Sequence, residues 1–458
     1  MTRHGTERVG SPWRRRAVLL AGLAVAVLSA GCQTPVRLMP TPVAFSAGDV
    51  DPFGGPEAKL AKTDVPVLYA TNRLPLIESP ERLFTVLPSA QLRVGIAHVR
   101  IGDGALDWET LHSLSTSADI EQRPIVRLDW LQPKGTLPAG GSSATGAQPH
   151  PFFAMVDRAL ALSPNREVVV YVHGVNSAVP RTAAQAAQFQ HFATRRVVVV
   201  SFMWPSAGSI LRYLTDVGNA AASVEPFAHL LEALAANTSA ASISVLSYSA
   251  GAQIVSPALA KLAASGSADV RKNLRLRNVY YAAPDLDTSL FVDQMSEYIN
   301  IVGRITVAFN RGDSALRVSQ LVNRASRAGR PDADELDSRQ RSFMIEASRR
   351  LGFDLLEVDP AAIPGLARRS HAFWYEHPWV SSDVIALLLF GAAPADRGLE
   401  EQIGERGARF WTFPSDFDQR IARLFAQAAG DEVRPGIGGT PAARIAAQPK
   451  GTSPEGED

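Results

Sequence analysis

Ser249 stands in Ser247-Tyr248-Ser249-Ala250-Gly251. Residues 243–246 before it are β-formers, and the alanine-rich residues 252–264 after it read as a helix. Strand, sharp turn and helix is the context that lifts a serine hydroxyl above a sheet. The pattern departs from Gly-x-Ser-x-Gly at its first position, where Ser247 is still small enough for strand and helix to meet closely. A serine hydroxyl is a poor nucleophile until a base takes its proton and a carboxylate fixes that base. His371, beyond the apolar run 353–358, is the expected base. Asp313, in Asn310-Arg311-Gly312-Asp313 after the run 304–309, is the expected acid. Asp285 and Asp287 follow the run 278–282 and remain alternative acids. His377 precedes Pro378 and reads as a helix-entry residue. An oxyanion needs two aimed N–H groups. Ala250 would supply one, and Val175 in His173-Gly174-Val175-Asn176 the other, with Gly174 letting the backbone come close. His173, Trp204 and Tyr213 are the substrate-binding candidates. His173 also reads as a brace for its loop, and Asp216 and Asn219 follow Tyr213 at three-residue spacing. No His or Cys pair has metal-ligand spacing, so neither metal nor cofactor is expected.

These groups need a scaffold that brings strand ends together. Residues 65–73, 93–100 and 123–130 read as strands; His98 lies inside the second alternation and reads as a sheet histidine. Residues 135–151 are rich in Gly, Ser, Ala and Pro and read as a mobile loop. From residue 167 the pattern becomes strand–helix alternation: strands at 167–172, 196–204, 243–246, 278–282, 304–309 and 353–358. Helices are expected at 182–194, at 210–235 with breaks at Gly218 or Pro226, at 379–390 and at 410–428. The charged stretch 324–350 reads as a loop and a surface helix. Unbroken apolar strands with crossovers predict an α/β fold, a mostly parallel central sheet with helices on both faces.

The chain has 458 residues, 46 % hydrophobic and 20 % charged, with a formal net charge of +1. That is ample material for a core, and the charge balance argues against a nucleic-acid partner. Arg14, Arg15 and Arg16 precede an apolar run, 17–30, too short for a comfortable membrane span. It ends in Leu28-Ser29-Ala30-Gly31-Cys32, and Cys32 is the only cysteine. This resembles a bacterial lipoprotein signal. The resemblance implies acylation of Cys32, and Gln33 after it implies the outer membrane, facing the periplasm. The arginine pair leaves Sec and twin-arginine export both open. The expected division is a signal peptide at 1–31, a flexible tether at 32–62, a hydrolase domain at 63–428 and a disordered tail at 429–458.

The set Tyr69-Ala70-Thr71-Asn72-Arg73, His173-Gly174-Val175-Asn176, Phe202-Met203-Trp204-Pro205-Ser206, Ser249-Ala250-Gly251, Ala282-Ala283-Pro284-Asp285, Asp313 and His371-Ala372-Phe373 resembles a bacterial α/β-hydrolase family of unknown function. The resemblance spans about 65–390. It implies serine-hydrolase chemistry, agrees with Asp313 and His371 at their positions, and names no substrate. That family usually carries His-Ser-Met-Gly at the nucleophile; here Tyr248-Ser249-Ala250-Gly251 stands. The expected activity is cleavage of a small carboxylic ester or related acyl substrate through an acyl-enzyme. Acyl transfer by the same residues and a non-catalytic scaffold are the alternatives.

Overall fold

The computed structural model describes residues 35–46, 51, 53, 63–76, 84–118, 123–137, 150–194, 196–208, 212–265, 269–350 and 352–433. The expected signal peptide and Cys32 lie outside them. β1 (Asp64–Pro75), β2 (Phe84–Ile101) and β3 (Val126–Leu137) form an antiparallel meander. β3 runs through Gly135, so the loop expected from that residue starts later; residues 138–149 lie outside the described residues.

Six strands follow with burial written into their sequences. β4 (Glu167–Val172) is buried at every position, as is β5 (Val198–Phe202). β6 (Ser242–Tyr248), β7 (Leu276–Ala282), β8 (Arg304–Phe309) and β9 (Phe353–Glu357) complete the set. They pair in parallel, because each is joined to the next by helix that must pack on a sheet face. A final hairpin, β10 (Glu400–Ile403) with β11 (Arg409–Thr412), adds to β9. The sheet has eleven strands in the order β10-β11-β9-β8-β7-β6-β4-β5-β1-β2-β3. This is the α/β-hydrolase type of architecture, mostly parallel with helices on both faces.

Alternation along one strand separates the two cores. Val169 and Tyr171 of β4 join the helices Val179–Phe192 and Pro378–Phe390 on one face. Val168, Val170 and Val172 join Val224–Asn237 and Ala252–Ala264 on the other. From β4 the chain moves to β5 on one side, then returns to β6 on the other. The ends of β4 and β6 therefore flank a topological switch point, where crossovers diverge and leave a crevice.

Four sequence expectations change. Residues 36–46 are not a free tether. Leu38, Met39 and Phe45 are buried in the core, Phe45 stacks on Phe192 at 6.3 Å, and Val126 N–H bonds Val36 O at 2.8 Å. The apolar side chains in this Pro-rich stretch gain more by burial than the chain loses by being ordered. The helical region 210–235 breaks at neither Gly218 nor Pro226: it forms Tyr213–Ala221 and Val224–Asn237, split at Ser223. Pro226 falls in the first turn of the second helix, where no N–H is required. Residues 410–412 are strand, not helix, since Trp411 pairs with Leu356 of β9. The helix behind them, Phe417–Val433, continues past residue 428. Among the described residues no helix is long and apolar enough to cross a membrane.

Candidate active site

Ser249 follows β6 directly and opens one turn of 3-10 helix, Ser249–Gly251. Its φ is +52°, a left-handed value that costs a non-glycine residue about 1–3 kcal/mol and persists only when its surroundings hold it. The surroundings are close. A Cβ on Gly251 would lie 2.7 Å from Val172 O, and one on Gly174 would lie 2.8 Å from Ser249 Cβ. Both glycines are therefore set by close approach of the β4 and β6 ends. Ser247, in place of the usual first glycine, is buried and lies on the Gly251 side of that contact.

Ser249 Oγ lies 2.8 Å from His371 Nε2, and His371 Nδ1 lies 2.6 Å from Asp313 Oδ2. Asp313 is fully buried and does two jobs. Its second oxygen, Oδ1, accepts from Leu316 N–H at 3.0 Å and caps the helix Ser314–Asn323. Asn310 ties the acid loop to the histidine loop, donating from Nδ2 to Ser370 O at 2.9 Å while its Oδ1 accepts from Gly312 N–H at 2.8 Å. Gly312 is needed less for freedom than for space, since a Cβ there would meet Arg368 O at 2.4 Å in a close approach.

Burial by itself lowers the His371 pKa, but the nearby charges of Asp313, Asp285 and Glu376 and the Asp313 hydrogen bond outweigh it, and the net shift is upward. The Tyr248 ring lies 5.3 Å from the His371 ring and edge-on to Tyr375 at 5.7 Å. Tyr248 thus walls one side of the imidazole.

The alternative acids are placed elsewhere. Asp285 Oδ1 is bound by Arg327 Nε at 2.6 Å and by Ser319 Oγ at 2.6 Å, and Oδ2 accepts from Tyr213 Oη at 3.1 Å. Its own N–H donates to Ser249 O at 3.0 Å, so it braces the nucleophile turn from below. Asp287 is the N-cap of the helix Thr288–Tyr298, accepting from Leu290 N–H at 2.9 Å. Asp287, and not Asp285, is thus the carboxylate that caps the helix at this strand end. His377 caps Pro378–Phe390 and lies 2.9 Å from Pro364 O.

Two substrate-binding candidates are corrected. His173 and Trp204 are both fully buried, stacked at 5.1 Å, with Trp204 Nε1–H donating to His173 O at 2.7 Å. Burial, then the Arg73 charge, lowers the His173 pKa to about 3, so the ring is neutral. These side chains brace the loop and do not line an open pocket. Tyr213 is part-exposed but is held in the Asp285 network through Ser319 and Asn323. Asp216 accepts from Ser206 Oγ at 2.8 Å and Ala207 N–H at 2.7 Å, and Asn219 donates to Pro205 O at 2.6 Å. Both hold the loop after β5.

Sequence reasoning overlooked Arg73 and Arg327. The Arg73 guanidinium is buried and donates to the carbonyls of Met203, Thr85, Ser177 and Ser206 at 3.2–3.3 Å. It sews the loops after β4 and β5 together, and so sets the backbone that carries Val175. Its place in the Tyr69–Arg73 motif was the signal available. Arg327 lies in a charged stretch read as surface, yet it is 4 % exposed and ion-paired with Asp285. Among the described residues no group of three or more His, Cys, Asp or Glu side chains is placed to hold a metal ion.

Residues 151–366 match a family model described as "Alpha/beta hydrolase of unknown function (DUF900)". The matched segment carries Ser249, Asp285 and Asp313 and ends five residues before His371. No curated protein matches the chain at a significant level.

Proposed function

We propose that this chain, an α/β-hydrolase of that family of unknown function, is a serine hydrolase that cleaves a carboxylic ester or related acyl bond through an acyl-enzyme. One observation carries the reading: an unbroken hydrogen-bonded line from Ser249 Oγ through His371 to Asp313, at 2.8 Å and 2.6 Å. Asp313 holds the Nδ1–H tautomer, which leaves Nε2 as the base. As Ser249 Oγ attacks the acyl carbon, its proton passes to His371 Nε2. The tetrahedral oxyanion is received by the N–H groups of Ala250 and Val175. Their support is the contact of Gly174 with Ser249 and the position of Ala250 in the elbow. His371 then returns the proton to the leaving alcohol, and water repeats the sequence to release the acid. The imidazolium formed midway is stabilised by buried Asp313. We place the enzyme in the bacterial envelope, exported and anchored through acylated Cys32, from the lipobox-like Leu28–Cys32 stretch.

Labelling with a fluorophosphonate probe tests the nucleophile. Wild type should label covalently, and Ser249→Ala should lose the label while keeping its thermal melting temperature. Equal labelling of both proteins would remove Ser249 from the mechanism.

A further inference from the structure

The helix Ser314–Asn323, capped by Asp313, buries only Leu316 and Ser319. Val318, Leu321 and Val322 are 56 %, 75 % and 52 % exposed. At about 100° per residue, Arg317, Val318, Leu321 and Val322 share one outward arc of about 140°. The opposite side holds Leu316, Ser319, Gln320 and Asn323, and its contacts fix what stands on each flank.

On one flank, Tyr213 Oη lies 3.0 Å from Ser319 Oγ and accepts from Asn323 Nδ2 at 3.1 Å. This brings the start of the helix Tyr213–Ala221 alongside, and Leu214 there is 73 % exposed. On the other flank, Gln320 is bonded by Arg330. Arg317 and Arg330 line a cavity of about 530 Å³ together with Arg311, Arg368 and Arg369. The carboxylates lining it are Glu357 and Asp359, and Glu357 is paired with Arg311 at 2.7 Å. Five arginines against two carboxylates leave the cavity strongly cationic.

Single exposed aliphatics are ordinary on a protein surface, but a row of them flanked by a cationic cavity marks an interaction site. A partner for this face must offer hydrocarbon to the row and negative charge beside it. We propose that the outward face of the helix Ser314–Asn323, with Leu214 on one flank and the arginine cavity on the other, docks on an anionic phospholipid surface. Val318, Leu321 and Val322 enter the acyl boundary, while Arg317, Arg368 and Arg369 meet phosphates. The same helix begins at Asp313, and its Ser314 N–H reaches Arg369 O at 3.5 Å on the His371 loop. Docking therefore sets the acid and base loops at the lipid boundary. The value of that placement rests on the acyl-hydrolase reading, but the docking itself needs no turnover.

The test is co-sedimentation of the full chain carrying Cys32→Ser and Ser249→Ala, so that neither an acyl anchor nor catalysis contributes. Vesicles are phosphatidylcholine alone or phosphatidylcholine with phosphatidylglycerol. The expected result is binding that needs phosphatidylglycerol and weakens with salt. Adding Val318→Ser, Leu321→Ser and Val322→Ser should weaken it at least tenfold. Adding Arg317→Gln, Arg368→Gln and Arg369→Gln instead should weaken it by about 100-fold, at roughly 1 kcal/mol per basic residue. Melting temperatures of both sets of variants establish that they fold. Four results would overturn the proposal: equal binding of parent and variants; no binding by the parent; saturable binding of inorganic phosphate that leaves vesicle binding unchanged; or a dimer of the parent, seen by light scattering, that the aliphatic substitutions dissolve. Fluorophosphonate labelling of chains retaining Ser249 reads the catalytic proposal separately, so either idea can fail alone.

Discussion

Asp313 and Asp285 are both buried carboxylates within the reach of His371's field, yet they are held for different work. Asp313 offers an oxygen to His371 Nδ1; Asp285 has both oxygens occupied by Arg327, Ser319 and Tyr213. Asp313→Asn should therefore cut kcat by about 10³–10⁴, since the amide no longer holds the productive tautomer. Asp285→Asn should leave the plateau kcat within about tenfold, and should act on pH dependence instead. In the proposed mechanism the base works as neutral imidazole, so activity should fall as pH drops through the His371 pKa, which lies above its ordinary value. Asp285 is one of the charges holding it there. Its removal should move the acid limb of kcat/KM to lower pH, read from the pH profile of a chromogenic ester. The substitution also strands buried Arg327, and a stability loss of about 3–5 kcal/mol should appear in denaturation. An unchanged acid limb would mean that His371 does not sense Asp285. The order Ser249, Asp313, His371 was legible in the chain because each residue follows an apolar run. Asp313 was already the expected acid there, but Asp285 and Asp287 stayed open, because all three stand at strand ends and only their partners differ.

The strands that end at the site were legible as unbroken apolar runs, and their helices as the alternation between them. What periodicity did not carry was contact between ends. Gly174 was legible as a point of close approach and Gly251 as part of the elbow, but their neighbours were not: a Cβ on Gly174 would meet the Ser249 side chain, and one on Gly251 the backbone of Val172. Gly174→Ala would drive a Cβ to 2.8 Å from Ser249 Cβ and move the loop bearing Val175 N–H. Turnover of an activated ester should fall by about 10²–10³, the cost of losing one oxyanion donor. Fluorophosphonate labelling should slow in parallel while the melting temperature changes little. Unaltered kcat would detach this loop from the oxyanion hole. The hairpin β10–β11 went unread for a different reason. Glu400–Ile403 is exposed throughout, so no alternation between buried and exposed faces marks it.

Towards the N-terminus, Leu38, Met39 and Phe45 dock on the domain, so residues 36–46 of the expected tether belong to the folded unit. The anchoring proposal makes a plain expectation. Cys32→Ser expressed in a diderm bacterium should move from the membrane pellet to the periplasmic fraction at low salt only as far as the docking face allows, and fully at high salt. Retention in the pellet at high salt would argue against acylation at Cys32. Composition, charge and strand–helix alternation determined the α/β class and the placing of Ser249, Asp313 and His371 behind successive strands, because these depend on burial periodicity and on turns that follow strands. Pairing decided the rest. Arg73 became the clamp of the loops after β4 and β5, Arg327 the partner of Asp285, and His173 with Trp204 a buried brace, because a buried polar group is defined by the groups that satisfy it. Those groups come from residues 31 to 133 positions away in the chain, a separation that only the folded sheet closes.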